Sequence, residues 1–377
     1  LNIAIYIFFF QLAFARSFAI DTSIQVDNFS YNLTTLTEVE GVPWGMELIA
    51  ADKLLVTIKS GKLLLYNLVT KKSVSVSGLP KVEISGQGGL LDVKKSPDFN
   101  STQYLYFTYA KKVAKGKTTV LARAKWVNQN LANWQDLLIT QTNSDKGEHF
   151  GSRISFDQTG HVYFTVGDRG QRDLAQSLSH HNGKVIRLKL DGSVPLDNPF
   201  SKTKNALPEI WSYGHRNPQG IFFDQSKKEL WVIEHGPKGG DEINLVKAGN
   251  NYGWPLVSFG REYWGPKIGQ GSATAPGITA PIHYFVPSIA PSSLLIYSGK
   301  LIKEWSGNFL AGALVLTHLN KIEFSGAGEN RELKKEERFF ENLKERIRQV
   351  IEAEDGSLYL ATDSGKILQF NRETKKP

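Results

Sequence analysis

The sequence of 377 residues contains no cysteine, which excludes disulfides and thiolate metal sites. It carries no RNA-binding signature and no basic helix, so the net charge of +8 does not read as a nucleic-acid footprint. A basic balance also suits a membrane surface or an acidic small ligand, and it equally serves plain solubility. No low-complexity linker divides the chain, and beyond Phe14 no apolar run is long enough to span a membrane. What remains is a folded, turn-rich composition, with 22% charged and 11% aromatic residues.

One apolar run stands out, Ile3 to Phe14, too short for a comfortable span. Ala13-Phe14-Ala15 and Ser17-Phe18-Ala19 resemble leader cleavage sites. No basic stretch precedes the run, and an uncleaved amphiphilic anchor is the alternative. Residues 1–19 are expected to be a signal peptide and 20–377 a single domain, periplasmic or secreted.

Short β-type runs recur, each after a turn signal. They are Leu54 to Ile58, Tyr104 to Tyr109, Val162 to Val166, Leu230 to Ile233, Phe309 to Leu314 and Leu358 to Ala361. Runs bounded by Gly, Asp and Ser clusters mark strands. Six such units, each with room for about four strands, predict an all-β, six-bladed β-propeller. A pair of β-sandwiches is the competing architecture. Long loops are expected at Arg169 to Lys184 and Gly260 to Ala280, and loops of that length in a compact domain usually carry function.

Several polar residues could carry chemistry. His149 in EHFGSR suits a general base because an imidazole titrates near neutral pH. Asp168 in VGDRG ends a predicted strand, where a carboxylate could orient that imidazole. Arg216 and Asn217 in GHRNPQG fall on a predicted loop. Arg346 and Arg348 alternate around Ile347, so a strand would turn both to one side as a clamp for carboxylates. Gln87 in GQGG places an amide beside glycines that permit close backbone approach, and Tyr263 in REYWG could stack on a flat ligand. GPKGGDEIN offers a Gly-Pro turn and two carboxylates to a cation such as calcium. Taken singly, each reads as well as a surface cation, a loop histidine or a turn residue. His180, His181 and His215 lack the spacing of a zinc site.

In this order, EHFGSR, VGDRG, GHRNPQG, EHGPKGGDEINL and ERIRQV resemble the soluble quinoprotein sugar dehydrogenases, the glucose/sorbosone dehydrogenase family, from about Gly41 to Phe370. The resemblance implies a propeller that binds pyrroloquinoline quinone (PQQ) and calcium and oxidises an aldose at C1 to a lactone. It implies His149 as the base, held by Asp168, and Arg216 at the C5 oxygen of PQQ. Gln87, His149, Arg216, Asn217, Tyr263, Arg346 and Arg348 would contact the cofactor. The carbonyls of Gly236 and Pro237 would hold one calcium, and Glu242 with the carbonyl of Tyr252 a second. Electrons would pass on to a quinone or cytochrome. One departure concerns the position after GNFLAGAL, where the family usually has a lysine for PQQ and this chain has Val315. That substitution keeps open a sugar- or protein-binding propeller that has lost PQQ. A calcium-dependent lactonase is a further alternative.

Overall fold

The computed structural model describes residues 21–26, 29–142, 144–269 and 271–373; the expected leader lies outside them. Six antiparallel sheets follow one another along the chain as the blades of a propeller. Blade 1 comprises Pro43–Ala50, Lys53–Ile58, Lys62–Asn67 and Lys72–Ser75. Blade 2 comprises Leu90–Lys95, Tyr104–Val113, Gly116–Val127 and Asn130–Ile139. Blade 3 comprises Ile154–Phe156, His161–Val166, Lys184–Lys189 and Ile210–Tyr213. Blade 4 comprises Pro218–Asp224, Glu229–Glu234, Asp241–Val246 and His283–Phe285. Blade 5 comprises Leu295–Ile296, Phe309–Gly312, Leu319–Ser325 and Glu332–Phe339. Blade 6 takes Ile347–Glu352, Leu358–Thr362 and Lys366–Arg372 from one end of the chain. Phe29–Glu38 from the other end then pairs with Lys366–Arg372, Leu33 opposite Phe370, and Asp21–Val26 adds a fifth strand.

The six runs expected from the sequence are the second strands of the six blades. The cause lies in the packing. Side chains alternate across a strand, and a middle strand has a neighbouring blade on each face. Leu230 and Val232 therefore pack toward blade 3, while Trp231 and Ile233 pack toward blade 5. Tyr163 faces blade 4, while Val162 and Phe164 face blade 2. Burial on both faces produces an unbroken apolar run, the signal visible in the sequence. Asp157, Asp224 and Asp355 close the turns before three of these strands by accepting from the backbone N–H two residues on.

At the centre, Arg153 joins the blades. It is 3% exposed and leads into the first strand of blade 3. Its guanidinium donates to the carbonyls of Trp44, Gln219, Ser292 and Arg348 and pairs with the Asp92 carboxylate at 3.2 Å. One side chain thus ties the inner strands of blades 1, 2, 4 and 6 and the segment entering blade 5.

This strand order also places the site. First strands run away from one face of the ring and second strands return to it. The loops between second and third strands, and the links between blades, therefore gather on that face. The side chains that meet at the site come from these connections or from the strand ends beside them, with one exception, Trp254, which the long loop between the third and fourth strands of blade 4 carries to Asp168.

Candidate active site

His149 lies on the link from blade 2 to blade 3, and Asp168 on the loop after the second strand of blade 3. The fold brings them together, with Nδ1 of His149 2.7 Å from Oδ1 of Asp168. The backbone enforces this contact. A Cβ at residue 167 would stand 2.2 Å from the His149 carbonyl oxygen, so the glycine of VGDRG is what lets the two loops touch. His149 itself adopts a left-handed conformation, φ 54°, a strained geometry that functional positions often hold. Its N–H donates to the Gln87 side chain at 2.8 Å.

Asp168 is 1% exposed. Burial pushes its carboxyl up, but the hydrogen bond and charge of His149, the Arg216 charge and the Gly170 N–H together hold it below the usual carboxylate range. The Trp254 indole N–H donates to its other oxygen at 2.8 Å. An ionised Asp168 facing Nδ1 fixes the proton there and leaves Nε2 as the basic nitrogen.

Beside this dyad is a cavity of about 310 Å³. Its walls carry Lys59, Arg346 and Arg348, the amides of Gln87, Asn217 and Gln219, and the rings of Trp44 and Phe150. Arg346 precedes the first strand of blade 6 and Arg348 lies within it, and both reach Asp363. They form the expected convergent pair, held by an aspartate that the sequence reading missed. Arg348 sits against both oxygens of Asp363, at 2.8 Å each. Burial pushes the Asp363 carboxyl up, and the two arginines more than reverse this. Lys59, from the corresponding loop of blade 1, donates to the Gly86 carbonyl at 2.6 Å. Arg216 is 8% exposed, and its buried Nε has no hydrogen-bond partner among the described residues. His235, on the cavity wall, donates from Nε2 to the Pro291 carbonyl at 2.8 Å; burial first, then the Arg216 charge, push it down to about 3, so it stays neutral.

Residues 41–369 match the family described as Glucose / Sorbosone dehydrogenase. The Escherichia coli aldose sugar dehydrogenase YliI is 34% identical over 347 residues, covering 90% of this chain and 92% of that protein. Quinoprotein glucose dehydrogenase B of Acinetobacter calcoaceticus is 30% identical over 312 residues, 74% of this chain and 62% of that one. The apo crystal structure of the soluble E. coli aldose sugar dehydrogenase superposes with a TM-score of 0.86 at 32% identity, covering 91% of this chain and all (100%) of that one. The chain belongs to the glucose/sorbosone dehydrogenase family. It is therefore a sugar oxidoreductase by family, built on the six-bladed propeller the sequence predicts.

In this member of the family the polar cavity fits an anionic, planar ligand. Three cations line it and only Asp363 opposes them in the wall; Arg216 is not part of that wall but lies close by, its guanidinium on the His235 carbonyl. Those are the groups a tricarboxylate quinone requires.

The two expected calcium positions also have suitable oxygens. Gly236 and Pro237 lie in the loop after the second strand of blade 4, and neither carbonyl accepts a hydrogen bond among the described residues. Asp241 shapes this loop, accepting from the N–H groups of Gly236, Ile289 and Ala290. A Cβ at residue 236 would fall 2.2 Å from the Gly240 carbonyl. Glu242 faces Glu234 across the strand pair. Burial and then the Glu234 charge raise its carboxyl well above the usual range, and the nearby Asn244 Oδ1 has no partner among the described residues. Buried, unsatisfied oxygens of this kind fit a hard cation. Among the described residues no group of three or more His, Cys, Asp or Glu side chains is poised on a metal, so amide and carbonyl oxygens would have to complete either shell. Tyr252 is buried, its ring stacked on His215 at 4.8 Å.

One expectation looks different in the structure, that for Tyr263, and the structure also places the histidines and Val315. Tyr263 is 67% exposed and does not reach the cavity wall. His181 and His215 are buried beside Glu209 and Glu234 as structural pairs. Val315 sits at the cavity rim, 45% exposed, next to Leu314 in the wall, while Lys59 supplies an ammonium from blade 1.

Proposed function

We propose that this protein oxidises aldoses at C1 with PQQ and calcium, His149 acting as the general base. The observation that carries the reading is the His149–Asp168 dyad beside a cavity with three cationic walls. When bound, PQQ supplies the acceptor for the hydride that leaves C1, and calcium supplies a Lewis acid beside it. Nε2 of His149 takes the proton of the C1 hydroxyl, and Asp168 stabilises the resulting imidazolium. Arg216 presents its guanidinium where negative charge accumulates. Lys59, Arg346, Arg348, Asn217 and Gln87 orient the ligand, and Trp44 and Phe150 narrow the space open to water. The carbonyls of Gly236 and Pro237 would hold the calcium beside the cavity, and Glu242 with the Tyr252 carbonyl a structural one. The two electrons that leave C1 with the hydride would then pass on to a quinone or cytochrome. We assign the protein to the periplasm or the extracellular space, on the apolar leader-like run at Ile3 to Phe14; among the described residues no helix is long and apolar enough to cross a membrane. The decisive experiment is an absorbance titration of calcium-supplied protein with PQQ, followed by sugar. Bleaching of the bound quinone on sugar addition is expected; a spectrum that does not respond to PQQ removes the reading.

The cations make a second test. Lys59→Met is expected to weaken PQQ binding by about one to two decades, the worth of one charge-assisted hydrogen bond. Val315→Lys should tighten it, mainly through slower release. Isothermal titration at one calcium concentration measures both, and unchanged affinity in both variants would place the cofactor elsewhere.

The Glu242 position makes a third. Calcium should raise the melting temperature of the wild type, because a ligand that binds only the folded state stabilises it. Glu242→Gln should melt higher than the wild type without calcium and respond to calcium less. Because the folded carboxyl is raised, stability in the metal-free wild type is fully present below the ordinary carboxylate range and is lost as pH rises through the folded value. Scanning calorimetry with and without chelator checks this, and a calcium response equal in both proteins rules out Glu242 as a ligand.

A further inference from the structure

A second opening, a groove of about 600 Å³, lies along the loop between the third and fourth strands of blade 4. Arg172, Leu256, Glu262, Trp264, Lys267 and Ser272 are among its lining residues. None of them takes part in the chemistry proposed above. Two features suggest that it has a ligand of its own.

The first is its chemistry. Trp264 is 75% and Leu256 52% exposed. Large apolar side chains left in water and rimmed by polar groups mark binding grooves more often than bare surface. The polar groups are paired and therefore nearly neutral as a set. Arg172 Nη1 meets Glu262 Oε1 at 2.5 Å, with Asp173 and Lys267 adding one charge of each sign to the lining. A charged ligand gains little from such a lining. A sugar ring suits it, because the C–H face can lie on an indole while its hydroxyls bond to a planar carboxylate and guanidinium.

The second is its position. The Trp254 indole that donates to Asp168 stands between groove and dyad: Arg216 lies 5.3 Å and Arg172 6.0 Å from its ring centroid. A sugar whose C1 faces His149 must send the rest of its chain outward, and the groove begins one side chain away.

We propose that this groove is a second carbohydrate subsite, which receives the glycosyl unit attached to the reducing-end sugar of an oligosaccharide. The proposal rests on the sugar-oxidation reading for its direction, and its test separates the two. Glucose, maltose and maltotriose are compared as substrates of the PQQ- and calcium-loaded wild type, Trp264→Ala and Arg172→Met. In parallel, maltotriose is titrated calorimetrically into each protein without turnover. The expected result is a kcat/KM for maltotriose that falls about tenfold in Trp264→Ala, with glucose turnover unchanged and maltotriose binding weakened by a similar factor. Arg172→Met should act in the same direction. If glucose is oxidised but the variants leave maltotriose kinetics and binding unchanged, or lower glucose and maltotriose turnover equally, the subsite is overturned and the oxidation reading stands. If no sugar is oxidised, the titration decides: maltotriose binding that is lost in Trp264→Ala upholds the subsite, and absence of binding to the wild type overturns it.

Discussion

His149→Ala is expected to lower turnover of the PQQ-loaded protein by a factor on the order of 10²–10⁴, the usual cost of losing a general base, while cofactor affinity stays close to the wild-type value. The separation follows from the geometry. The charges proposed to bind the cofactor sit on Lys59, Arg346 and Arg348 in the cavity wall, whereas His149 stands beside the cavity and is tied to Asp168. Asp168→Asn should show a related defect, because an amide neither fixes the Nδ1 proton nor stabilises an imidazolium. Reconstituted kcat and a PQQ titration on the same preparation measure the two quantities. A His149→Ala protein that turns over at the wild-type rate would refute the assignment.

Arg153→Met is expected to be the most damaging single change to the fold. It removes donors to four backbone carbonyls and leaves the Asp92 carboxylate buried without its cation. Breaking a buried ion pair in this way costs about 3–5 kcal/mol, a large share of a typical domain's stability. Burial pushes the guanidinium down only to about 10, with Asp92 opposing the shift, so Arg153 remains charged near neutral pH. Adding Asp92→Asn should recover part of the loss, since the stranded charge disappears. Soluble yield and thermal midpoint of the two variants check this. A single variant as stable as the wild type would show that the hub is dispensable.

The parts of this protein legible in its sequence share a physical cause. Second strands are buried on both faces, so Leu54 to Ile58 or Leu230 to Ile233 read as strands without help. Among the first and outer strands, Lys72–Ser75 is exposed throughout and Ile154–Phe156 is three residues long, so neither carries such a pattern. Within the site, His149, Asp168, Arg216 and Gln87 stand in glycine-rich motifs that their loops require. Lys59 and Asp363 do not, as each looks like an ordinary turn charge before Ser-Gly. Only the ring closure, which sets blade 1 beside blade 6, brings Lys59 toward Arg348, whereas Asp363 meets Arg348 across a hairpin of blade 6 whose register the sequence does not state. His235 lies inside EHGPKGGDEINL and Trp254 two residues after Tyr252, but an apolar ring and a neutral imidazole give no reason to single them out. Tyr263 shows the opposite failure. An aromatic in a long loop looked like a cofactor contact, and the loop carries it outward into solvent.

The shared blade has a consequence for how the protein is made. Arg346, Arg348 and Asp363 all lie in the last stretch of the propeller to leave the ribosome, and Phe29–Glu38 has waited since the beginning for Lys366–Arg372. A chain synthesised from its N-terminus therefore holds five blades before it can close the ring. The cavity lined by Arg346, Arg348 and Asp363 is incomplete until that clasp forms, so on the reading proposed above an unfinished chain has no site to offer its ligand. Once it has formed, a proteolytic nick in any outer loop leaves the circle held at every other joint, and the break alone does not open it.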